Sequence, residues 1–180
     1  MEKERIEYVK SKVRSIPDFP IKGILFRDLT TVMKDAESMR VMRDALVELY
    51  KDKSITKVVG VEARGFIFGA ILAEALGAGF VPLRKPGKLP AKTIKKTYTK
   101  EYGEDTIEIH EDAITPDDVV LMHDDLLATG GTMAAALDLV QTMNPKKVYI
   151  NFICELVDLK GRNLFPADVE VTSLFDFEGE

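Results

Sequence analysis

The chain has 180 residues, enough for one compact domain and too few for two full-sized ones. Apolar residues make up 46% and charged residues 31%, which excludes a disordered or fibrous chain, and no apolar run approaches the length that crosses a bilayer. A net charge of −5 argues against a general nucleic-acid partner.

The charged start, Met1 to Arg5, shows no secretory signal. The single cysteine, Cys154, sits in the apolar run Ile150 to Cys154, so a buried thiol and a cytoplasmic protein are expected. Ile6, Val9 and Val13 recur at helical spacing and predict a helix over about residues 2–14, ended before Pro17. From Asp18 to Asp28, turn residues and apolar pairs without a helical period predict a loop and a short strand. Asp35 is a candidate cap for a helix reaching about Tyr50, with Met42, Ala45, Leu46 and Leu49 inward.

Strands and helices then alternate. Lys57–Val61, Phe80–Leu83, Val119–Met122, Val148–Cys154 and Val169–Phe175 read as strands, while Gly65–Leu76, ended by Gly77, and Gly130–Met143 read as helices. That order predicts an α/β fold with a mostly parallel sheet covered on both faces. Residues 93–110 interrupt the rhythm: Thr93 to Tyr98 and Thr106 to Ile109 flank a polar turn at Tyr102–Asp105. A charged hairpin is expected there, poor in apolar anchors, weakly held and able to move. Arg84, Lys85, Lys88, Lys92, Lys95, Lys96 and Lys100 crowd a stretch with no acidic residue between Glu74 and Glu101. The run reads either as a solvated face or as a local anion site.

The residues that carry chemistry follow Val119–Met122. This strand delivers His123, Asp124 and Asp125 at its carboxyl end, where open parallel sheets bind ligands, and a chain turning there lets both carboxylates reach one ligand. Paired aspartates are acceptors suited to sugar hydroxyls or to a metal's water shell. Ala128, Thr129, Gly130, Gly131 and Thr132 then open a helix. Two glycines allow close backbone approach, and the first turn presents unpaired N–H groups and hydroxyls, which makes a phosphate cradle. A plain turn with a helix cap has the same local signature, but the apolar strand and the aspartate pair before it weigh for the cradle. Neither the Walker nor the dinucleotide pattern is present. His123 is expected to hydrogen-bond in the sheet end or to tune the aspartate pair, and His110 to be solvated on the hairpin.

Leu121–Thr132 resembles the phosphate-binding motif of the type I phosphoribosyltransferases: apolar residues, Asp-Asp, then Ala-Thr-Gly-Gly-Thr. Gly60–Gly69 resembles the family's pyrophosphate loop. Three further segments resemble its adenine-specific branch: Val81–Pro90 its basic segment, Tyr98-x-x-Glu101-Tyr102-Gly103 its flexible loop, and Phe19-Pro20 through Gly23–Asp28 its N-terminal hood. These motifs occur in the family's order over roughly residues 15–160, with His123 standing where an apolar residue or Asp is usual.

The resemblance implies one domain with a hood over residues 1–34 and a flexible catalytic loop over 93–110. It implies transfer of the 5-phosphoribosyl group from phosphoribosyl pyrophosphate (PRPP) to adenine, giving AMP and pyrophosphate, with Mg²⁺ carried mainly by substrate and water. It implies that Asp124, Asp125, Ala128, Thr129, Gly130, Gly131 and Thr132 hold the 5′-phosphate and ribose. Glu62, Ala63, Arg64, Arg84, Lys85, Lys88 and Tyr102 would bind pyrophosphate, with a cis peptide between Glu62 and Ala63. Leu25, Phe26, Arg27 and Leu126 would bind adenine, and Glu101 would act with Asp124 and Asp125 in catalysis as the acid/base at the adenine ring. A homodimer without nucleic-acid or membrane partners is expected. Two alternatives stay open: a phosphoribosyltransferase for hypoxanthine, guanine or xanthine, and a PRPP-sensing regulator, which would need an added basic module.

Overall fold

A computed structural model of the protein describes residues 2–100 and 103–179. Helix α1 (Glu2–Ser11) stops short of the predicted residue 14. The chain instead turns into β1 (Arg14–Pro17), which pairs antiparallel with β2 (Leu25–Asp28) and sets Arg14 opposite Asp28 in an ion pair at 2.5 Å. A four-residue helix, α2 (Thr30–Met33), is too short to show a period and was not predicted. Helix α3 (Ala36–Tyr50) is capped as expected, Asp35 Oδ2 accepting the Ser38 N–H at 2.9 Å.

Strand β3 (Lys57–Val61) leads into α4 (Gly65–Ala75), which ends where Gly77 takes a φ of +67° and the Ala78 N–H donates to the Ala73 carbonyl at 2.8 Å. Then come β4 (Gly79–Leu83), the antiparallel pair β5 (Thr93–Lys100) and β6 (Gly103–His110), and β7 (Val119–Leu127). Helix α5 (Gly131–Gln141), β8 (Lys147–Leu156) and β9 (Glu170–Phe177) complete the fold. The predicted parallel sheet is present, five strands in the order β4-β3-β7-β8-β9. Among the described residues no helix is long and apolar enough to cross a membrane.

The sheet is buried on both faces, which is why its strands read as near-continuous apolar runs. Val120 and Met122 pack with Phe152, Leu137 and the hairpin residues Ile107 and Ile109; Leu121, between them, packs on the opposite face with Phe68, Leu46 and Tyr50. The stem of the hairpin therefore corrects an expectation. Ile107 and Ile109 are 2% and 0% exposed, so two alternate residues of β6 anchor it in the core, and only its outer face carries the charge that made the segment look loosely held.

At one level of the sheet the register sets polar residues side by side: His123 opposite Asn151, and Asn151 opposite Thr172. His123 Nδ1 lies 2.8 Å from Asn151 Oδ1, Asn151 Nδ2 donates to Thr172 Oγ1 at 3.0 Å, and the Thr172 and Tyr50 hydroxyls meet at 2.5 Å. His123 is fully buried, and its Nε2 has no hydrogen-bond partner among the described residues. Burial pushes the imidazole down to about 4, so it folds neutral. The unfolded chain takes up a proton below the ordinary 6.5 that the folded chain refuses, so this contribution is full above about pH 6.5 and is lost as pH falls towards 4. Over that window His123 should withdraw about 3 kcal/mol of stability. In denaturant titrations at stepped pH, His123→Gln should lose this slope; an unchanged slope would mean that the folded imidazole is already protonated.

Candidate active site

The crossovers leave β3 and β7 in opposite directions: β3 leads to β4 on one side and β7 to β8 and β9 on the other. Their carboxyl ends therefore border the switch point at which open α/β sheets place ligands. Strand β7 keeps β3 as a neighbour only as far as His123, opposite Gly60, yet stays paired with β8 to Leu127. Asp124 and Asp125 thus lie within the β7 ladder, past the end of β3. This differs from the turning strand end the sequence suggested, and the two carboxylates diverge as strand geometry requires.

Asp124 lines a cavity of about 110 Å³ together with Leu126, Phe152, Met133 and the loop from Ala128 to Thr132. Asp125 is 2% exposed and is covered by Arg64, whose Nε lies 2.5 Å from Asp125 Oδ2. The contact is an ion pair, and Asp125 Oδ2 has no hydrogen-bond partner by geometry among the described residues. Gly65 permits the arrangement, because a side chain there would come within 2.8 Å of the His123 carbonyl oxygen; its absence lets α4 start directly on β7 with Arg64 at its cap. Burial pushes the Asp124 carboxyl well above the ordinary carboxylate range, reinforced by the adjacent Asp125 charge. Burial raises Asp125 as well, and Arg64 opposes it.

The loop over residues 128–132 has the form the sequence suggested for an anion cradle. Gly130 takes a φ of +82° and caps α5, so the chain reverses tightly and the first N–H groups of the helix stay unpaired at the cavity. A larger groove of about 630 Å³ runs among α1, α3 and β9, lined by Lys3, Glu7, Lys10 and Asp176 with apolar side chains. It lies away from the β3 and β7 ends, and its mixed charges fit no single anion.

Of the predicted pyrophosphate residues, Glu62, Ala63 and Arg64 follow β3 and Arg84, Lys85 and Lys88 follow β4, whose ends are adjacent. The Glu62–Ala63 peptide is cis, as the resemblance implies, and Phe19–Pro20 is a second cis bond. The Glu62 carboxylate accepts from Arg84 Nε at 3.1 Å and from the Lys85 N–H at 2.9 Å, and the Arg84 guanidinium holds it below the usual carboxylate range. The Lys85 ammonium pairs with Asp105 of β6, and Lys88 is exposed, its carbonyl accepting from Arg84 Nη1. Around the β1–β2 pair, the Phe26 ring meets Phe19 edge-on at 5.1 Å, and Arg27 lies over the Phe177 ring at 4.2 Å while donating to Ser15 Oγ. Leu25 pairs with Pro17 in the hood ladder, and Leu126 borders the loop cavity. Glu101 and Tyr102 lie outside the described residues, between β5 and β6.

Gly161 escaped sequence reasoning, as did the contacts of Tyr98 and Asp105. The Tyr98 hydroxyl meets Thr132 Oγ1 at 2.9 Å and donates to Asp105 at 3.2 Å, tying the hairpin to the loop that opens α5. Gly161, from a 3-10 turn over Gly161–Leu164, packs against Ala128 and Gly130. In the sequence Tyr98 reads only as part of the flexible-loop motif and Asp105 only as a turn residue, and a single glycine in a loop is a weak signal. Among the described residues no cluster of three or more His, Cys, Asp or Glu side chains is placed to hold a metal ion. Asp124 is the donor that fits Mg²⁺, since burial and the neighbouring carboxylate both penalise its charge and a hydrated cation would relieve that.

A parallel sheet with Asp-Asp in a central strand and a helix-initiating Thr-Gly-Gly-Thr loop after it, at the switch point, defines a phosphoribosyltransferase, and residues 30–176 match the family model described as phosphoribosyl transferase domain. An adenine phosphoribosyltransferase from Bacteroides fragilis is 60% identical over 171 residues, 95% of this chain and 94% of that one. The crystal structure of adenine phosphoribosyltransferase from Rhodothermus marinus superposes with a TM-score of 0.91 at 47% identity, covering 97% of this chain and 99% of that one. The enzyme from Saccharomyces cerevisiae, complexed with an imino-altritol bisphosphate and adenine, gives 0.89 at 40% identity, over 96% and 99%. The chain belongs to the adenine phosphoribosyltransferase family.

Proposed function

We propose that the protein transfers the 5-phosphoribosyl group of PRPP to adenine, releasing pyrophosphate and forming AMP in purine salvage. The observation that carries this reading is the loop cavity, in which N–H groups at the start of α5 and the Asp124 carboxylate face one small space at the switch point. Ala128 to Thr132 hold the 5′-phosphate through backbone N–H groups and hydroxyls. Asp124 and Asp125 take the ribose hydroxyls, and their charge favours the cationic ribosyl centre that develops as the anomeric bond breaks. A ribose hydroxyl supplies the donor that Asp125 Oδ2 lacks, once Arg64 turns from it towards the pyrophosphate.

Arg84 and Lys85 join Arg64 there, with Lys88 and Tyr102 beside them and the Glu62–Ala63 peptide supporting the site from the end of β3. Mg²⁺, bound through substrate oxygens and water beside Asp124, supplies charge neutralisation for the departing pyrophosphate. Glu101 handles the proton at the adenine ring as N9 becomes the nucleophile, while Leu25, Phe26, Arg27 and Leu126 frame the base. Residues 1–34 form the hood and 93–110 the catalytic loop of one domain. A homodimer in the cytoplasm is the expected working form, as in the family the sequence resembles.

The test is incubation with labelled adenine, PRPP and Mg²⁺, scored for AMP against hypoxanthine, guanine and xanthine. Adenine should be preferred by at least about 10² in kcat/KM, because a pocket built to hydrogen-bond one base edge leaves its groups unpaired with another. A preference for a 6-oxopurine would replace this reading with that of the neighbouring specificity.

A further inference from the structure

We propose that Gly161 is a positioning residue for the 5′-phosphate loop, its 3-10 turn acting as a backbone strut that sets where Ala128–Gly130 stand. The inference rests on the loop's proposed role and goes beyond it, since Gly161 is not among the residues that line the loop cavity. The contact is backbone against backbone in both directions. A Cβ on Gly161 would overlap the Ala128 carbonyl oxygen and lie 2.9 Å from Thr129 C and 3.0 Å from Gly130 N; a Cβ on Gly130 would lie 2.6 Å from the Gly161 carbonyl oxygen. No flexible side-chain end stands between the segments to absorb a change, so a single methyl group must move the loop or the turn.

The turn cannot easily be the one to move. Arg162, next in sequence, donates from Nε to Glu155 Oε1 at 3.0 Å, pairs through Nη2 with Glu155 Oε2, and donates from Nη1 to the Val171 carbonyl at 2.5 Å. Ser173 Oγ adds a hydrogen bond to Glu155 Oε2 at 3.0 Å. Glu155 belongs to β8 and Val171 and Ser173 to β9, so the guanidinium fork clamps the turn onto two sheet strands. At its other end Phe165 is buried and its ring lies 6.3 Å from that of Phe152, which itself lines the cavity. The strut thus refers the loop's position to the sheet that carries Asp124, and the displacement from an added methyl falls on the loop.

N–H donors grip an oxygen only over a few tenths of an ångström, and a misplacement of about 1 Å costs on the order of 10²-fold in function. Gly161→Ala is therefore expected to weaken AMP binding by about 10- to 100-fold in calorimetric titration, while adenosine, which lacks the phosphate, binds as to the wild type. Arg162→Lys, which keeps the charge and loses the fork, should shift AMP in the same direction by less and serves if Gly161→Ala does not fold. Leu46→Ala, in the core cluster on the other face, controls for lost stability and should leave the AMP-to-adenosine ratio unchanged. Unchanged AMP affinity in Gly161→Ala, or equal losses for AMP and adenosine, overturns the strut. Failure of the wild type to prefer AMP over adenosine overturns the phosphate reading of the loop instead.

Discussion

Asp125→Ala should lower turnover of adenine and PRPP by on the order of 10² to 10³, the usual cost of removing one preorganised group that faces charge developing in a transition state. The carboxylate is 2% exposed, burial raises it, and Arg64 at 2.5 Å keeps it in check. Because it lies in a paired strand, its position is fixed before substrate arrives, and no reorganisation is needed when positive charge builds on the ribose. Truncation leaves Arg64 without its anion beside a buried site, so thermal stability should fall too. Asp125→Asn separates the effects: it keeps the volume and removes the charge, and should lose nearly as much turnover with less loss of stability. Turnover close to wild type in both variants, measured at saturating PRPP, would sink the electrostatic role.

Glu101→Gln should reduce turnover by about 10² to 10⁴, the range for a lost acid/base, while PRPP affinity stays near the wild-type value. The proposed role draws on the described strands on either side, β5 and β6. Ile107 and Ile109 anchor the stem in the core, Tyr98 joins it to Thr132 at the start of α5, and Asp105 joins it to Lys85. The described stem is thus tied at several points to the core and to the elements around the loop cavity. Equilibrium binding of PRPP followed by single-turnover measurement distinguishes the outcomes. Loss of PRPP affinity with an unchanged chemical step would make Glu101 a substrate-positioning group.

The elements whose periodicity is local were legible from the start. Asp35 capping α3, Gly77 ending α4, the apolar runs of β3, β7 and β8, and the loop from Ala128 to Thr132 all follow from neighbours within a few residues. The pairing of β1 with β2 was not legible, since it depends on Arg14 meeting Asp28 across a loop, and the helical rhythm of Ile6, Val9 and Val13 ran on past the point where that pairing takes over. The hairpin stem was misread for a related reason: alternate burial of Ile107 and Ile109 has the same composition as a weakly held charged strand until α5 is placed against it.

The division follows the range of the forces involved. Sequence by itself pointed to the kind of chemistry proposed, because a strand, two carboxylates, two glycines and a helix start must be contiguous to make a phosphate cradle, and contiguity is written in the chain. Tertiary structure alone decided how those groups are shared out: Asp124 to the cavity, Asp125 to Arg64, Lys85 to Asp105, and the loop braced on Gly161 from a turn some thirty residues further on. Those contacts join segments distant in sequence, and they exist only once the sheet has set its strand order and both of its faces are buried.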